Sequence, residues 1–136
     1  MLPARYECLR RVFEWTFGLS KRRDRLLATP TEEVTVCSIV KSELFYGALR
    51  SNDPGRTLER QQAFLSRFVS LPFEDESALI AGQIRSKLAS VGTPIGSYDL
   101  QIAAIALANN LILVTHNTRE FERVNGLQIE DWEIET

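Results

Sequence analysis

A chain of 136 residues, 44% hydrophobic and 25% charged with a formal charge of −2, has the size and balance of one globular domain. No apolar run approaches the roughly 18 residues of a membrane span, and "MLPARYECLRRVFEWTFGLSKRR" is broken by arginines and has no signal-peptide core. Two cysteines make no disulfide framework, and Cys37 sits in the apolar "VTVCSIV", so a reduced, cytoplasmic setting is expected. The charge is unevenly spread: residues 1–30 hold seven Lys/Arg against three Asp/Glu, and residues 31–136 nine against fifteen.

From Thr31 onward the elements alternate. "VTVCS" (34–38) is short and β-branched, which predicts a strand. "IVKSELFYGALRS" (39–51) has helical spacing, with Val40, Leu44 and Ala48 in one stripe and Gly47 beside it. The turn cluster "NDPG" separates it from a second helix, "RTLERQQAFLSRF" (56–68), and a short strand, "VSLPF" (69–73). "EDESALIAGQIRSKLASVG" (74–92) opens with acids that suit the positive end of a helix dipole, carries Ile80, Ile84 and Leu88 on one face, and stops at Gly92.

"IGSYDLQIAAIALANN" poses the sharpest question. The spacing predicts a helix from about Ser97 to Asn110 with Ser97 as its N-cap, yet the run after Asp99 is apolar except for Gln101. An apolar helix of this kind goes to the interior, where an unpaired charge is expensive. "LILVT" (111–115) follows as a strand of the kind buried on both faces of a parallel sheet. "HNTREFERVNG" predicts a loop with a helical turn in which Phe121 points inward, and "LQIEDWEI" a last, edge-like strand. The order predicts an α/β sandwich around a mostly parallel sheet, whose sites form beyond the carboxyl ends of the strands.

Four residues are candidates for chemistry. Glu43 lies at the edge of its helix's apolar stripe, beside a glycine that leaves room for something to approach; its structural alternative is a solvated charge or a partner for Arg50. Asp99 stands in a first helical turn, where an acid is favoured for dipole reasons alone. Asn117 and Glu120 follow the buried strand, and the Asn117 amide is suited to bracing a carboxylate. His116 in the same loop is a weaker candidate. Asp, Glu and Asn are hard oxygen donors of the kind Mg²⁺ or Mn²⁺ prefers, and gathered carboxylates need a cation to offset their repulsion. Zinc spacing, phosphate-binding glycine loops and nucleophile elbows are absent from the sequence. Metal-assisted phosphodiester hydrolysis is the chemistry that remains.

"SELFYG" and "TPIGSYDLQIAA", followed by "LVTHNTREFERV" in that order, resemble the PIN-domain ribonuclease toxins of the VapC type, from about Leu26 to Trp132. The resemblance implies a three-layer α/β/α fold and an Mg²⁺- or Mn²⁺-dependent endoribonuclease, cutting RNA and, in some relatives, tRNA. It implies a cognate VapB-like antitoxin and a homodimer. By position it makes Asp99 and Glu43 metal-site residues, and adds Asn117 and Glu120 to the catalytic set. The family opens with a strand ending in an aspartate, as in "LLDTN". "RYECLRRVFEWTFGLSKRRD" offers neither in the expected place. The sequence therefore divides into an atypical basic segment, 1–25, and a PIN-like domain, 26–136, with the first strand not expected. Counted this way the chain has one direct carboxylate fewer than its family, so a weak nuclease is expected, or a defective remnant that only binds its antitoxin.

Overall fold

The computed structural model describes residues 11–13 and 26–132. Its centre is a five-stranded sheet in the order β3-β2-β1-β4-β5, formed by β1 (Arg11–Phe13), β2 (Val34–Cys37), β3 (Val69–Leu71), β4 (Ile112–Val114) and β5 (Ile129–Glu130). All four pairings are parallel. Helices flank the sheet: α1 (Ser38–Leu49), α2 (Pro54–Leu65), α3 (Asp75–Ser90), α4 (Ser97–Ala108) and the single turn α5 (Thr118–Phe121). The expected α/β/α architecture is the observed one, and no helix of the described residues is long and apolar enough to cross a membrane.

One expectation is overturned. The basic N-terminal stretch was expected to lack the first strand, but Arg11–Phe13 form β1 in the middle of the sheet, paired with both β2 and β4. Three residues are too few to show alternation, and the arginines around them mask the signal. What makes the strand is its neighbours. Val12 is fully buried between β2 and β4, and the buried Thr35 hydroxyl donates to the Arg11 carbonyl at 3.0 Å.

Arg11 also finds partners that only the fold supplies. Its guanidinium donates to Glu130 on β5, at 2.8 Å from Nε and 3.3 Å from Nη2, and lies 3.9 Å from Glu33. Glu130 accepts a further bond from the Trp132 indole at 3.0 Å. This partly buried network ties the edge strand β5 to β1 across the intervening β4. Paired and hydrogen-bonded charges of this kind are tolerated in a half-buried setting, whereas a single one would not be.

The helices begin and end where local chemistry directs. Asp53 caps α2 by accepting from the Arg56 amide, with Pro54 in the first turn. Gly92, at φ +74°, closes α3, with Thr93 N donating to the Leu88 carbonyl; Asn110, at φ +53°, closes α4 in the same way, with Leu111 N donating to Ala106. Both are the left-handed C-terminal turn that glycine adopts readily and asparagine tolerates. In α4, Leu100 and every residue from Ile102 to Ala106 are buried, so the helix is enclosed on all sides and has no polar face. The expected inward placements hold: Cys37 and Phe121 are fully buried, and Val40 and Ala48 bury the stripe of α1. Ser97 is not the cap of α4. Gly96 occupies that position, and Ser97 is the first helical residue.

The strand order places a crevice. The chain moves outward from β1 through β2 to β3, then crosses back to β4 and β5 on the other side. At such a reversal the crossovers on either side diverge, leaving an opening beyond the carboxyl ends of the central strands. Here those strands are β1 and β4.

Candidate active site

Three of the four candidate residues gather at that opening. β4 ends at Val114, and Thr115, itself buried, accepts the Asn117 amide on its hydroxyl at 2.9 Å. That bond turns the chain sharply, and the Asn117 side chain donates from Nδ2 to the Asp99 carboxylate at 3.3 Å. Asp99 is thus held from the loop after β4 as well as by its own helix. The fully enclosed α4 can carry this charge because its first turn emerges at the crevice.

Glu120 braces the same region from α5. Its Oε1 accepts the Gly96 amide at 3.1 Å, and Oε2 lies 3.6 Å from the Arg123 guanidinium. Arg123 donates in turn to the Pro94 carbonyl at 2.9 Å. Glu120 therefore fills the role Ser97 was expected to play: a side-chain oxygen at the start of α4, delivered from a distant segment. No spacing within residues 94–99 could reveal that.

The environment of Asp99 disfavours its charged form. Burial raises the Asp99 carboxyl above its ordinary value, and the nearby negative charge of Glu120 raises it further. Both effects say that the ionised form is under-compensated in the protein alone. Glu43 is exposed on α1, and makes no hydrogen bond or ion pair with the other three among the described residues. A Cβ added at the neighbouring Gly47 would meet nothing within 4 Å, so that flank of α1 is open. His116 is turned elsewhere, toward Asp131 at 3.1 Å.

Among the described residues no group of three His, Cys, Asp or Glu side chains gathers closely enough to hold a metal ion unaided. The donor set nevertheless fits a hard cation. Mg²⁺ keeps several waters and takes one or two protein carboxylates, and Asp99, a half-buried acid, has the chemistry such a ligand would need.

A parallel sheet flanked by helices, with Asp99, Asn117 and Glu120 gathered beyond the carboxyl end of β4, defines a small α/β domain with a polar site at its topological switch. The PIN domain profile matches residues 12–127, which includes most of β1, and the chain belongs to the PIN-domain family, in its VapC branch. It is 45% identical over 102 residues to the tRNA(fMet)-specific endonuclease VapC of Salmonella typhimurium, covering 75% of this chain and 77% of that one. To Ribonuclease VapC2 of Haemophilus influenzae it is 42% identical over 100 residues, covering 74% and 76%. Among solved structures, the DNA-bound VapBC of Salmonella typhimurium superposes with a TM-score of 0.82 at 38% identity, covering 90% of this chain and 98% of that one. VapBC-1 of nontypeable Haemophilus influenzae does so at 0.81 and 27%, covering 91% and 98%.

Proposed function

We propose that this protein is the ribonuclease toxin of a toxin–antitoxin pair, hydrolysing an RNA phosphodiester with a bound Mg²⁺ or Mn²⁺, and that tRNA is its substrate class. The observation that carries the reading is Asp99: a half-buried carboxylate, short of positive charge, held by Asn117 at the switch point of a PIN-type sheet. The relative named as tRNA(fMet)-specific supports the choice of tRNA.

When bound, the ion supplies Lewis-acid stabilisation of charge at the phosphate and lowers the pKa of water. The chain's own residues do the rest. Asp99 would hold the ion directly, with its orientation set by the Asn117 amide. Glu43, on the open flank of α1, would act through water. Glu120 fixes the loop before α4, so that Asp99 does not swing with it. β1 ends at Phe13, and the residue that follows, Glu14, lies outside the described residues.

The partner we propose is a VapB-like antitoxin that brings an Arg or Lys to the Glu43/Asp99 cleft, doing for the carboxylates what a cation does. The VapBC neighbours support it. A homodimer in the cytoplasm completes the proposal. The alternative is a defective member that only binds its antitoxin.

One assay separates the two readings. Purified chain is incubated with tRNA in Mg²⁺, in Mn²⁺ and in EDTA, beside Asp99→Asn. Cleavage with metal, lost in EDTA and in the variant, is the expected result. Cleavage undiminished in EDTA would overturn the metal mechanism, and none under any condition would favour the defective member.

A further inference from the structure

The start of α4 borders a second feature that the nuclease chemistry does not use. Between α3 and the loop leading into α4 lies a cavity of about 320 Å³, lined by Arg85, Ala89, Pro94, Ile95, Ser97 and Leu100. Its lining is mixed. Arg85 and Ser97 contribute a guanidinium and a hydroxyl, while Ala89, Pro94, Ile95 and Leu100 make an apolar wall. Arg85 is exposed and forms no ion pair or hydrogen bond among the described residues. A cation with no carboxylate partner among the described residues, beside an apolar recess, is matched to a ligand with an anionic end and a flat, weakly polar body. The volume lies at the small end of the about 300–1,000 Å³ typical of ligand clefts, the scale of one nucleotide.

Its position relative to Asp99 gives the cavity meaning. Ser97 and Asp99 are two residues apart in one helix, which places them on opposite sides of its first turn. A helix is about 10 Å across with its side chains, a distance that a few nucleotides of single strand span. A strand held at Asp99 and laid over the start of α4 would descend into this cavity. Glu120, which also acts on the Asp99 charge, accepts the Gly96 amide, and Arg123 donates to the Pro94 carbonyl, so the loop forming the cavity's rim is tied to the segment that carries Glu120.

We propose that this cavity is a subsite for one nucleotide of the RNA strand flanking the cleaved bond, with Arg85 contacting its phosphate, Ser97 donating to it, and Pro94, Ile95 and Leu100 receiving its sugar or base. The proposal rests on the nuclease reading above, and adds a place for substrate outside the metal site.

The test is RNA binding in a background that does not cut. Fluorescence anisotropy with a labelled single-stranded RNA compares Asp99→Asn alone, with Arg85→Glu added, and with Arg60→Glu added. Arg60, exposed on α2 and outside the cavity lining, controls for net charge, and thermal melts confirm that each variant is folded. Arg85→Glu is expected to weaken binding about tenfold or more and to lower the salt slope by about 0.7, the value of one phosphate contact on a single strand. Arg60→Glu should change affinity less than about twofold, as a charge away from the path does. In the otherwise wild-type enzyme, Arg85→Glu should raise KM and spare kcat. Equal weakening by the two substitutions, or none by Arg85→Glu, would overturn the subsite while leaving the nuclease intact. Absence of any RNA binding or cleavage would overturn the nuclease reading, and the subsite with it.

Discussion

Replacing Val12 with alanine tests whether the sheet is built around β1. Val12 is fully buried, flanked in register by Thr35 of β2 and Leu113 of β4. The change removes two carbons, about 1.6 kcal/mol of transfer free energy at roughly 0.8 per buried carbon. If the site does not collapse, a void of about 50 Å³ adds roughly 1.2 kcal/mol at about 24 cal/mol per Å³. The sum is about 2–3 kcal/mol. For 136 residues, an unfolding entropy of about 2.1 cal/mol/K per residue makes that a fall in Tm of about 7–10 °C. Urea and thermal unfolding followed by circular dichroism would measure both, with Val91→Ala as the exposed control, expected within about 0.5 kcal/mol of wild type. A Val12→Ala chain as stable as the control would show that Arg11–Phe13 do not occupy the centre of the sheet. The crevice between β1 and β4 would then need redrawing.

Two further outcomes follow from the site itself. Because burial and then Glu120 raise the Asp99 carboxyl above 3.8, the folded state binds that proton more tightly than the unfolded chain does. The stabilising contribution of the proton is present below 3.8 and lost as pH rises through the higher folded value. In EDTA, Asp99→Asn should gain stability over wild type from acid to neutral pH, and melts that run parallel would count against an under-compensated charge. Asn117→Ala removes the amide that orients Asp99 while leaving every carboxylate in place. Loss of an outer partner of this kind lowers metal affinity or activity about 10–100-fold, read by Mn²⁺ titration beside the cleavage assay.

The elements whose signals are local can be read from the amino-acid order. β2 and β4 are apolar and β-branched, α4 is apolar throughout, Asp53-Pro54 starts α2, and Gly92 stops α3; each residue acts on its own backbone or within one turn. The alternation of these pieces sufficed for the layered parallel architecture, because a helix between two strands returns the chain in the same direction. The short motifs around Glu43, Asp99 and Asn117 were legible for the same reason.

Relations between segments come from the packed fold. β1 is three residues of unremarkable composition, and it is a strand because β2 and β4 offer hydrogen bonds and a buried slot to Val12. Arg11 reads in sequence as part of a basic surface, yet its partner Glu130 lies 119 positions away. Glu120 reads as a candidate catalytic acid, and the fold sets one of its oxygens on the Gly96 amide. Asp99 could have been an ordinary acid at a helix start. The Asn117 amide and the nearby Glu120 charge make it something else, and both arrive from beyond β4, where sheet pairing fixes the direction of the chain. Local propensity is carried by neighbours in sequence. A charge's environment is set by whatever packs against it, and that is known only once the sheet has closed.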